Sequence, residues 1–191
     1  MKVFWTFLLA LSFILGASPA ALAQTSQFKG WRVIKRELSN RIAQSGTYLN
    51  MDPFLPAEGL EVLLGTWNNF GSEHTFQNGT PNPVNMLILN VTLTRFSQRI
   101  GASCHSTQLL FNQRFQRSLQ QLCQWPSQDA TADAKLREFW ILMMGYSAPE
   151  SEYSVWKEFF LTSKYRQLPA AETISAMSLA IVMNPYFLLH R

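Results

Sequence analysis

The chain has 191 residues, 47% hydrophobic and 15% charged, with a formal net charge of +4. That length suits one domain with a sizeable core. Lys and Arg are scattered, with no run of five or six, which argues against nucleic-acid recognition, since that needs a concentrated basic face.

Met1-Lys2 gives a short positive start, and Phe4 to Leu15 is almost unbroken apolar sequence. Gly16, Ser18 and Pro19 end that run, and Ala21-Leu22-Ala23 places small residues at the third and last positions before Gln24. This is the pattern of a secretory signal peptide cleaved after Ala23. The apolar run is too short to span a bilayer, which takes roughly 20 residues. No Cys follows the cleavage site to accept a lipid. Removing residues 1–23 leaves 168 residues, and the loss of Lys2 lowers the charge to +3. Residues 24–191 are therefore expected to form a single periplasmic or secreted domain, without stable membrane insertion.

Trp31, Ile34, Leu38 and Ile42 recur at helical spacing and predict an amphipathic helix over about 28–44, ended by Ser45-Gly46. A short helix is expected over 57–64. Residues 65–83 then read as a long irregular loop, rich in Gly, Asn, Thr and Pro. Long loops in compact domains are often functional. This one carries Trp67, Phe70, His74 and Phe76, which are candidate contacts for a ligand or partner.

Pro83 opens a predicted helix to about Ser103, with Val84, Leu87, Ile88, Val91, Phe96 and Ile100 expected inward and Thr80 or Asn82 as cap. Thr107 is the expected cap of a helix over about 108–124, which carries Leu110, Phe111, Phe115, Leu119 and Leu122. Leu136, Phe139, Trp140 and Met143 form the inward stripe of a helix over about 131–144, closed by Gly145. Ser147-Ala-Pro-Glu150 has capping-box spacing and starts a helix through Tyr153, Trp156, Phe159 and Phe160. A last helix runs from about 170 to 183. Pro185 ends it, and Tyr186 and Phe187 in the apolar tail are further contact candidates. The fold class is all-α, an irregular orthogonal bundle of six or seven helices.

Only Cys104 and Cys123 occur. In an oxidising compartment such a pair favours a disulfide. Two rival readings use Cys104. Covalent haem attachment normally takes C-x-x-C-H, and Gly101-Ala-Ser-Cys104-His105 retains one Cys and the His, with Met143 or Met144 as distant axial candidates. A Cys-His hydrolase would need the two side chains to face each other, which neighbours on a helix do not do. Glu73-His74 reads as solvated loop, and no pair of His has the spacing that puts two metal ligands on one helix face. Asn78-Gly-Thr80 and Asn90-Val-Thr92 match the glycosylation pattern, the second inside a predicted helix.

Two C-terminal segments carry a resemblance. Leu136-Arg-Glu-Phe-Trp-Ile-Leu-Met-Met-Gly-Tyr-Ser-Ala-Pro-Glu150 and Ala180-Ile-Val-Met-Asn-Pro-Tyr-Phe-Leu-Leu-His-Arg191 resemble the end of exported helical domains in planctomycete-type cytochrome-associated proteins. The likeness covers about 55 residues. It implies an accessory exported helical domain. Such proteins hold haem on a full C-x-x-C-H, which this chain does not carry. The sequence thus points to a non-enzymatic exported protein that binds an envelope partner or a small ligand, with no cofactor or metal assigned.

Overall fold

A computed structural model describes residues 29, 31–44, 83–106, 111–126 and 129–188. The expected signal peptide, the expected 57–64 helix, residues 65–82 of the expected loop with Trp67, Phe70, His74 and Phe76, and the expected caps Thr80, Asn82 and Thr107 lie outside these residues. Seven helices occur among the described residues: α1 (Trp31–Ile42), α2 (Pro83–Ala102), α3 (Gln113–Cys123), α4 (Asp129–Met144), α5 (Glu150–Tyr165), α6 (Ala170–Val182) and α7 (Pro185–Leu188). No strand is present among them, only an isolated antiparallel bridge between Ala43 and Phe111.

All seven helices contribute to one hydrophobic cluster. Two of them organise it: α4 packs on α1, α3, α5 and α6, and α6 packs on α2, α3, α4, α5 and α7. The amphipathic spacing explains most of this. Ile34, Leu38 and Ile42 of α1 are fully buried, as are Phe115, Leu119 and Leu122 of α3 and Leu136, Phe139 and Met143 of α4. An aromatic line crosses three helices. Phe115 meets Phe139 at 5.5 Å between ring centroids, Phe139 meets Trp156 at 6.1 Å, and Trp140 meets Trp156 edge-on at 5.4 Å. Offset and edge-on geometries of this kind suit the ring quadrupoles.

The buried face of α2 departs from expectation. Leu87 and Val91 are exposed, while Phe96 and Ile100 are buried as expected, together with Leu89, Thr92, Leu93 and Ser97. The helix is apolar on several faces, so spacing alone does not select one. The selection comes from α6. A Cβ at Gly101 would lie 2.0 Å from Ser175 Oγ and 2.1 Å from the Ala171 carbonyl oxygen. Only glycine permits that approach, and Leu93, Phe96 and Ile100 enter the core on the same helix.

The helix ends also differ from their predicted positions. α1 stops at Ile42 because Ala43 turns into the bridge with Phe111, and Asn112 N–H donates to the Ile42 carbonyl at 2.9 Å. Asn112 also caps α3, because its Oδ1 accepts from Phe115 N–H at 2.8 Å. Its Nδ2 donates to the Arg41 carbonyl at 2.9 Å, joining the end of α1 to the start of α3. α5 begins at Glu150 with Pro149 at the cap position and no side-chain cap, so Ser147 does not serve there. Pro185 does not merely end α6. It opens α7, and Asn184 Oδ1 accepts from Tyr186 N–H at 2.8 Å. Gly145, at φ 81°, ends α4 as predicted.

Candidate functional site

Cys104 and Cys123 form a disulfide, with Cα atoms 5.5 Å apart. It ties the turn after α2 to the last residue of α3. In this bonded form Cys104 offers no thiol for a thioether to haem or for nucleophilic attack. His105 follows on an exposed turn, and Met143 and Met144 are buried in the core cluster. Among the described residues, no group of three or more His, Cys, Asp or Glu is placed to hold a metal ion.

The two contact candidates at the C-terminal turn separate. Tyr186 is exposed, whereas Phe187 is buried. Phe187 lies under two cations, with Lys29 Nζ 5.3 Å and Arg41 Cζ 5.9 Å from its ring centroid. It is a core residue that holds α7 against α1, and its side chain is not available to a partner. Lys29 and Arg41 both bind the Glu37 carboxylate, at 2.9 and 3.2 Å. Arg41 Nη1 also donates to the Met143 carbonyl at the end of α4, where a positive charge suits the helix dipole.

The densest ionic cluster joins α4 to α5. Asp133 accepts from Lys157 at 2.8 Å, from Arg137 at 2.9 Å and from the Tyr153 hydroxyl at 3.1 Å. Arg137 also pairs with Glu150 at 3.1 Å and stacks 3.8 Å over the Tyr153 ring. The Lys157 and Arg137 hydrogen bonds hold the Asp133 carboxyl at about 2, against an ordinary 3.8. Burial, with the neighbouring Asp133 charge, pushes the Tyr153 hydroxyl up. A carboxylate with that many donors is a weak base, so this cluster reads as a clamp rather than a catalytic pair.

A third feature is open. A groove of about 670 Å³ runs between α3 and α4, lined by Gln113, Arg114, Arg117, Ser118, Gln121, Lys135 and Glu138. Gln113, Arg117 and Gln121 fall at i, i+4 and i+8 on one face of α3, opposite the buried Phe115, Leu119 and Leu122. Arg114 reaches across to Glu138 at 3.7 Å and occupies the one carboxylate in the lining. Ser118 is buried, and its Oγ has no hydrogen-bond partner among the described residues. Arg114 and Arg117 read in the sequence as scattered basic residues; their spacing in α3 and the addition of Lys135 from α4 bring three cations to one groove.

No described helix is long and apolar enough to cross a membrane. The chain matches no protein-family model, no curated protein and no solved structure at a significant level.

Proposed function

We propose that this is an exported, non-enzymatic helical accessory protein that binds a partner in the cell envelope. The observation that carries the reading is the Cys104–Cys123 disulfide, which staples the ends of α2 and α3 and suits an oxidising compartment. The short positive start, the apolar run and the Ala21-Leu-Ala23 pattern supply the route out of the cytoplasm. The C-terminal resemblance to exported helical domains of planctomycete-type cytochrome-associated proteins points the same way. Trp67 and Phe70, aromatic residues in a polar stretch, are the first contact candidates.

In-envelope crosslinking tests this directly. The wild-type chain is expected to give a discrete adduct with an envelope protein, weakened by Trp67→Ala with Phe70→Ala. Absence of any specific adduct from the native envelope overturns the binding reading. An adduct unchanged by the double substitution moves the contact away from those two residues.

A further inference from the structure

We propose that the groove between α3 and α4 is the docking site for an acidic peptide segment of the partner. The proposal rests on the binding reading above and deepens it by naming a surface and a chemistry. Three cationic side chains, Arg114, Arg117 and Lys135, line the groove against one carboxylate, Glu138, and that carboxylate already pairs with Arg114. Arg117 and Lys135 form no ion pair among the described residues, whereas the cations beside Glu37, Asp133 and Glu150 are paired. Uncompensated cations side by side raise the local potential and favour an anionic occupant.

The rest of the lining selects the class of anion. Gln113 and Gln121 stand at the two ends of the α3 stripe, about 12 Å apart along the helix. Their amides both donate and accept, which matches the alternating N–H and C=O groups of a peptide backbone. That span corresponds to about four residues of extended chain. Arg117 offers a planar fork for a carboxylate, and Lys135 a point charge for a second.

The test uses the full exported chain, labelled with 15N, and hexaglutamate peptide as probe. Hexaglutamate is expected to shift the backbone amide signals of Gln113, Arg117, Gln121 and Lys135 saturably. Binding is expected to weaken when salt rises from about 0.15 M to about 0.5 M. Arg117→Glu with Lys135→Glu is expected to weaken it by about tenfold or more, while Arg166→Glu, on the exposed turn after α5 and outside the groove lining, leaves it unchanged. Shifts confined to other surfaces overturn the proposal, as does a hexaglutamine peptide binding equally well. Inorganic phosphate shifting the same signals as strongly also overturns it, because the groove would then be a general anion site. If the groove fails while the envelope adduct persists, the binding reading stands without this surface. If no adduct forms while hexaglutamate binds, the groove stands and the envelope reading falls.

Discussion

Two helix pairs in this bundle meet in opposite ways. α2 and α6 approach until Gly101 lies against Ser175 and the backbone of Ala171, and the nearby helix faces carry small buried hydroxyls such as Ser97 and Ser178. α3 and α4 also share core, through the Phe115–Phe139 contact, yet they part at the rim and leave a polar groove. The first junction is filled by shape and tolerates almost no change. The second is filled only on its inner side. A bundle stabilised at one junction can leave the other free to present charge.

Substitutions should separate the two. Phe139→Ala removes the ring shared by α3, α4 and α5, and should cost about 4 kcal/mol in urea unfolding. Gly101→Ala should cost about 3 kcal/mol, because a methyl cannot enter without moving α6. A Gly101→Ala chain that unfolds at the wild-type midpoint would show that the tight junction is not limiting. Replacing both Cys104 and Cys123 by Ser should cost about 3 kcal/mol in the chain-entropy account of a loop of this size. Asn112→Ala should cost about 1 kcal/mol through loss of the α3 cap, and more if its bond to Arg41 adds to it. Arg117→Glu with Lys135→Glu should change stability by less than about 0.5 kcal/mol, as expected of a surface outside the packed core.

The α4–α5 clamp predicts a pH effect with a defined sign. The Asp133 carboxyl is held at about 2 in the fold, below its ordinary 3.8. Its contribution is therefore present above about pH 4 and is lost as pH falls toward 2. Asp133→Asn should therefore cost up to about 1 kcal/mol near neutrality and nothing near pH 2, flattening that part of the acid-unfolding profile. The Asp133 side chain is partly exposed, and surface pairs are worth at most about 1 kcal/mol.

The same contrast decides what was legible beforehand. α1 and α3 follow one apolar stripe each, and α4 buries its expected Leu136, Phe139, Trp140 and Met143 together with Leu142 and Met144. α2 is apolar around much of its circumference, so the choice of Leu89 and Leu93 over Leu87 and Val91 depended on the close approach at Gly101, a partner contact that spacing does not encode. Asn112 was missed because the cap was expected at Thr107, whereas the chain first bridges Phe111 to Ala43, 68 positions away, and α3 starts only at Gln113. Phe187 read as part of an exposed apolar tail, but the cations of α1 and residue 29 enclose it. The groove was hidden for a similar reason. Arg114 and Arg117 are neighbours on α3, but Lys135 joins them only through the packing of α4. The disulfide, by contrast, followed from two cysteines and the expectation of export.

Export with an oxidised Cys104–Cys123 pair is the claim on which the functional reading depends. Intact-mass analysis of the chain isolated from its native cells, with thiol alkylation before and after reduction, measures both parts at once. The expected species begins at Gln24 and takes up alkylating reagent at two positions only after reduction. A chain that retains Met1 and is alkylated at both cysteines without reduction would contradict the account.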